Sequence, residues 1–125
     1  MCCGFPIKAA DMASSELMAA YNLALAQAKG IDVCALCSSC TSALAETAHH
    51  LSWDETERAK VNERLSQVGL EYKTSPRVRH FARILFEEIG EDTIKARFER
   101  DLSGRQRYVT AVRLPTGGRR DSQIR

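Results

Sequence analysis

The sequence is short of several features that would fix a function at once. No apolar run approaches the ~20 residues that a helix needs to cross a bilayer, and Lys8 and Asp11 interrupt the N-terminal stretch before a signal-peptide core can form. Aromatic residues make up only 6%, with no clusters to stack bases and no recognisable nucleic-acid fold. Internal repeats and low-complexity linkers are also missing. These absences leave an expected soluble, cytoplasmic chain with no membrane span and no nucleic-acid partner.

What remains is 125 residues, 44% of them hydrophobic, enough for one modest core in one domain or part of one. Five cysteines stand out. In a cytoplasmic chain they are expected to be thiols, metal ligands or redox groups, because disulfides are rare there. Their odd number also suits ligands better than pairs. The net charge of +2 is unevenly spread: residues 1–102 hold 12 Lys/Arg against 15 Asp/Glu, a net of −3, whereas residues 103–125 hold six Arg against Asp121, a net of +5.

Periodicity predicts helices with short, marked stops. A first helix runs from about Asp11 to Lys29 on Leu17, Tyr21 and Leu25, and Gly30 ends it. "IDVCAL" then reads as a short buried strand, followed by a helix capped by Ser38 or Ser39 with Leu44 and Ala48 on one face. Ser52 and Glu55 form the pattern of a capping box, opening a helix that buries Val61, Leu65 and Val68 and stops at Gly69. Ser75–Pro76 marks a further helix start, with Val78, Phe81, Leu85 and Ile89 as its stripe and Gly90 as its end. Ile94, Phe98 and Leu102 continue in a last amphipathic helix up to Gly104. Beyond it "RYVTAV" allows a strand, and "RLPTGGRRDSQIR" reads as irregular and disordered. The expected fold class is therefore α/β, helix-rich, with short strands between helices.

The chemistry concentrates in "CALCSSC". Cys37 and Cys40 fall where a strand hands over to a helix N-terminus, where unpaired N–H groups and the helix dipole favour thiolates. Cys34, flanked by Val33 and Ala35, is expected to be a packing residue inside the strand. His49 and His50 are expected at the surface, and His80 at the core edge or in the site. A bacterial ferredoxin would continue the spacing with a further Cys-Pro, but Thr41, Ser42, Ala43, Leu44 and Ala45 follow instead. A thioredoxin-like dithiol has the right position between strand and helix but not the following proline. One zinc held by Cys2, Cys3, Cys37 and Cys40 would have to accommodate adjacent cysteines, and no second CxxC is present. A cluster of several irons can use neighbouring sulfurs more naturally.

"CCGFPIK", followed by "CSSC" with 33 residues between Cys3 and Cys37, resembles the cysteine-rich CCG domain of the heterodisulfide reductase B-subunit family. The resemblance extends through "AAYNLALAQAKGIDVCALCSSCTSALAETAHHL", "VNERLSQVGLEYK" and "VRHFARILFEEIG", covering roughly residues 2–104. It implies an iron-sulfur oxidoreductase component that reduces a disulfide with a noncubane [4Fe-4S] cluster. The implied substrate is a small disulfide, in methanogens the mixed disulfide of coenzymes M and B. Electrons would come from a ferredoxin-like iron-sulfur partner of the heterodisulfide reductase C-subunit type. Residue by residue, Cys2, Cys3, Cys37 and Cys40 match the family's cluster ligands, and Cys34 matches none. The iron-sulfur component of glycolate or lactate oxidation and a non-enzymatic zinc-stabilised module are the alternatives.

Two departures from the family pattern shape the expected domain organisation. The family carries a further cysteine upstream of the CC pair and a second CCG domain downstream. Residues 1–104 are accordingly expected to be a partial, truncated first CCG domain. Residues 105–125 are expected to be an irregular basic tail arising from a frameshift near residues 105–111. The chain alone is expected to be cluster-poor and inactive.

Overall fold

The computed structural model describes residues 2–99, and the chain folds over this span as a helix-rich α/β unit. The predicted last helix stops early, at Lys95, with Phe98 exposed beyond it, while Leu102, Gly104 and the basic tail lie outside the described residues. The described chain opens with a 3-10 turn at Phe5–Ile7. Helix α1 (Met12–Ala28), strand β1 (Val33–Ala35), helix α2 (Ser38–Trp53) and helix α3 (Glu55–Ser66) follow. Strand β2 (Val78–His80), helix α4 (Phe81–Ile84) with a π-helical continuation through Ile89, and the short helix α5 (Glu91–Lys95) complete it. The two strands pair in parallel, Val33 with Val78 and Ala35 with His80, so α2 and α3 form the crossover between them.

Helix α1 starts where Asp11 accepts a hydrogen bond from the Ser14 N–H at 3.0 Å. Its most buried face is not the predicted Leu17–Tyr21–Leu25 stripe but a neighbouring one made of Ala19, Ala20, Leu23 and Ala24. Small side chains let α2 come close, and Leu17 and Tyr21 pack against the edge of that contact. From the other side Ala43, Leu44 and Leu51 of α2, Val61 and Leu65 of α3, and Tyr72 close the core.

The capping-box expectation is corrected. Asp54, not Ser52, caps α3 by accepting from the Glu57 N–H at 2.9 Å, while Ser52 donates back to the His49 carbonyl at 2.6 Å. Ser52 is still helical at that point, because α2 runs on to Trp53. Val61 and Leu65 are buried as expected, but Val68 is 59% exposed because α3 stops at Ser66 and the chain turns away.

Ser75–Pro76 does not open a helix either. The residue before a proline is steered away from helical angles, and the segment runs extended into β2. Asp32 accepts from the Arg77 N–H at 3.2 Å, and the Val33 N–H donates to the Arg77 carbonyl at 2.8 Å. Side-chain amides stand in for regular structure upstream. Gln27 accepts from the N–H groups of Lys73 and Thr74 at 2.9 and 2.8 Å. Asn62 both donates to the Tyr72 carbonyl, at 3.0 Å, and accepts from its N–H, at 2.8 Å. Val78 is half-buried in β2, whereas Phe81 and Ile89 are exposed, so the predicted stripe is split between a strand and a helix.

Candidate metal centre

Three segments converge at the cysteines: the N-terminal turn, the end of β1 and the start of α2. The turn is built around Gly4, whose φ of +88° is a conformation that L side chains rarely adopt. A Cβ there would stand 2.4 Å from the Ser15 carbonyl oxygen. Glycine after the cysteine pair therefore lets the turn lie directly on α1. Ser15 fixes it by donating to the Gly4 carbonyl at 2.9 Å, in a buried position. Asn22 donates to the Cys2 carbonyl at 3.0 Å. At the turn's far end Lys8 pairs with Glu46 of α2, which also accepts from Ser42 at 2.7 Å. The Lys8 ammonium beside it, and then the Ser42 hydroxyl, hold the Glu46 carboxyl below its ordinary range.

This docking buries Cys3 to 8% exposure within the core cluster and leaves Cys2 exposed. Cys37 is the N-cap residue of α2, in extended conformation, and is exposed. Its thiol makes no full capping hydrogen bond. The backbone N–H groups of Cys40 and then Ser39 nevertheless face the sulfur and hold its pKa below that of an ordinary thiol. Cys40, half-buried one turn later, lies within hydrogen-bonding reach of both the Cys3 and Cys37 sulfurs. The contact with Cys3, reinforced by desolvation and by repulsion between the sulfurs, pushes its pKa up to about 12. The two thiols of the CxxC are thus pushed in opposite directions, Cys37 toward the thiolate and Cys40 toward the protonated form.

Cys3, Cys37 and Cys40 are therefore brought together, and Cys2 is adjacent to them in the chain. The packing role expected of Cys34 is overturned: it is exposed, because β1 alternates and Val33 and Ala35 face the core while Cys34 faces out. His49 and His50 are exposed as expected. His49 stacks obliquely on Trp53, with ring centroids 6.1 Å apart. His50 meets Glu16 of α1 at 2.5 Å, and that carboxylate raises the imidazole pKa. His80 is half-buried and caps α4 by accepting from the Ala82 N–H at 3.1 Å.

Among the described residues no set of three or more His, Cys, Asp or Glu side chains is disposed to hold a metal ion. The donors are nonetheless of the right kind for soft, thiolate-ligated iron, with three sulfurs gathered at a helix N-terminus. The residues fit such a group in donor chemistry.

No family model matches the chain. Curated relatives do. A heterodisulfide reductase B-subunit-like protein of Archaeoglobus profundus is 36% identical over 87 residues, which is 70% of this chain and 29% of the relative. The chain is similar to a segment of the heterodisulfide reductase B subunit. The B subunit of the ferredoxin/F(420)H(2)-dependent CoB-CoM heterodisulfide reductase of Methanosarcina acetivorans is 32% identical over 97 residues, 76% of this chain and 32% of that protein. The B subunit of the ferredoxin:CoB-CoM heterodisulfide reductase of Methanosarcina mazei is 29% identical over 96 residues, covering 75% and 32%. The chain thus spans about a third of the length of the relatives it matches.

Sequence reasoning missed Ser15, Asn22 and Lys8. Ser15 and Asn22 lie seven residues apart on one face of α1, and that spacing was the available signal.

Proposed function

We propose that the chain is the first CCG segment of an iron-sulfur oxidoreductase of the heterodisulfide reductase B-subunit type, acting in the cytoplasm. In this reading Cys2, Cys3, Cys37 and Cys40 hold a noncubane [4Fe-4S] cluster. The observation that carries it is the gathering of Cys3, from the N-terminal turn, with Cys37 and Cys40 at the α2 N-terminus. When bound, such a cluster supplies electrons to a disulfide, a bond whose cleavage otherwise requires an attacking thiolate.

The chain's own residues prepare the site. The first backbone N–H groups of α2 favour Cys37 as a thiolate. The proton kept by Cys40 must leave when the sulfur ligates, so loading releases a proton and is favoured by rising pH. Close docking of Gly4 on α1 keeps Cys3 away from water. The proposed substrate is a small disulfide, and the proposed electron source is a ferredoxin-like iron-sulfur protein of the C-subunit type.

Anaerobic reconstitution followed by iron and acid-labile sulfide analysis tests the ligation. The 125-residue chain is compared with its Cys37→Ser and Cys40→Ser variants and with a chain extended to the length of its relatives. A reduced-viologen disulfide assay on the extended chain tests the activity. We expect iron and sulfide together in the extended chain, lost when either substitution is made there, and little of either in the 125-residue chain. One zinc per chain and no sulfide in both lengths would overturn the reading.

A further inference from the structure

Helix α1 touches the cysteine pair at two points outside the sulfurs. The carbonyl immediately before Cys3, that of Cys2, accepts from Asn22 at 3.0 Å. One peptide beyond Cys3, the Gly4 carbonyl accepts from Ser15 at 2.9 Å. The two donors occupy one face of α1, two turns apart. Both are themselves restrained. Ser15 is buried, and Asn22 also donates to the Met18 carbonyl at 2.7 Å within its own helix. The Cys2 carbonyl lies in the peptide plane that enters Cys3, and the Gly4 carbonyl lies one peptide beyond the plane that leaves it, across the left-handed Gly4. Held at both ends, this short stretch restricts φ and ψ of Cys3 and, through them, the rotamers open to its side chain.

We propose that Ser15 and Asn22 are positioning residues for the dicysteine, and that α1 is a two-point template aiming Cys3 at the start of α2. The contacts are visible in the chain itself; only their consequence for iron rests on the ligation proposed above. Neither residue touches a sulfur in this role. The Lys8–Glu46 pair holds the far end of the same turn, but both of its side chains are substantially exposed, and such pairs contribute little. The hydrogen bonds from α1 act next to Cys3, and the one from Ser15 is buried.

The test uses the metal-free 125-residue chain, with Cys3 reactivity as the readout. Asn22→Asp preserves shape and removes the donor; Ser15→Ala removes the hydroxyl from a buried position. Alkylation of each cysteine by iodoacetamide is followed by peptide mass spectrometry at one pH, alongside the thermal midpoint. Loss of one such bond is expected to raise the Cys3 rate about three- to tenfold. The Cys34 rate and the midpoint of Asn22→Asp should stay near wild type. In the chain extended to the length of its relatives, reconstituted iron should fall in both variants, with a changed visible spectrum.

An unchanged Cys3 rate in Asn22→Asp, or a rise matched by equal loss of global stability, would overturn the positioning role. If the chain extended to the length of its relatives takes up no iron while the Cys3 rates still separate, the ligation reading fails and the template stands.

Discussion

Replacing Gly4 by alanine tests how the cysteine turn is seated. Two costs arise together. A non-glycine residue held at a left-handed φ costs about 1–2 kcal/mol. The new Cβ would also stand 2.4 Å from the Ser15 carbonyl oxygen and 3.0 Å from that residue's Cα, distances that packed atoms do not tolerate. The obstacle is helix backbone, so the turn must move instead. Its movement breaks the Ser15–Gly4 hydrogen bond and leaves a shielded group unpaired, a further cost of about 1–3 kcal/mol. The seated turn should therefore be destabilised by about 2–5 kcal/mol on these two principles together.

Gly30 is the control. Its φ is +64° and nothing lies within 4 Å of the position of a Cβ, so Gly30→Ala carries the conformational cost alone. Chemical denaturation followed by circular dichroism measures both variants. Because a terminal turn can detach without unfolding the helices, Cys3 alkylation is read in parallel. Gly4→Ala should expose Cys3 far more than Gly30→Ala does. If the two variants lose equal stability and Cys3 stays protected in both, the close approach to Ser15 does not hold the turn.

Three further outcomes follow from the same geometry. Cys34→Ser, at an exposed strand position, should change stability by no more than about 0.5 kcal/mol in a denaturant titration and leave any reconstituted iron unchanged. Asp54→Ala should cost about 0.5–2 kcal/mol through loss of the α3 cap; Ser52→Ala should cost clearly less, and reversal of that order in thermal melts would restore the capping box. The Cys37 thiolate persists to lower pH than an ordinary thiol, whereas Cys40 keeps its proton to about pH 12. Across pH 7–9, Cys37 should therefore alkylate well ahead of Cys40, and equal rates in a pH series would contradict the assignment.

The existence and order of α1, the short strand and α2 were legible from composition and stop signals, although the cap of α2 is Cys37 rather than Ser38 or Ser39 and α1 buries its alanine face rather than the Leu17–Tyr21–Leu25 stripe. The placement of Cys37 and Cys40 between the strand and the start of α2 was legible too, since a CxxC at that junction has few other positions; the docking of Cys3 beside them depends on the long-range contact of Gly4 with α1 and was not. Legibility failed where long-range contacts outweigh local pattern. The Val78–Phe81–Leu85–Ile89 stripe has perfect helical spacing, but Val78 finds a strand partner in Val33, and pairing takes the first turn away from the helix. Cys34 looks apolar in sequence, yet strand alternation turns it outward. Ser52 and Asp54 are both good caps. The choice between them depends on where α2 ends, which packing of Leu51 in the core decides.

The parallel strands also order events in time. Asp32 and Arg77, which meet at the head of the sheet, are 45 residues apart, and every ladder contact between β1 and β2 closes a loop containing both α2 and α3. Helices form from neighbours in sequence within microseconds, whereas contacts across so long a span are entropically late. The emerging chain will therefore present Cys37 and Cys40 on a formed helix while β1 still lacks its partner. In that interval the thiols are open to oxidants and to stray metal ions, and the pace of β-strand closure sets how long they remain so.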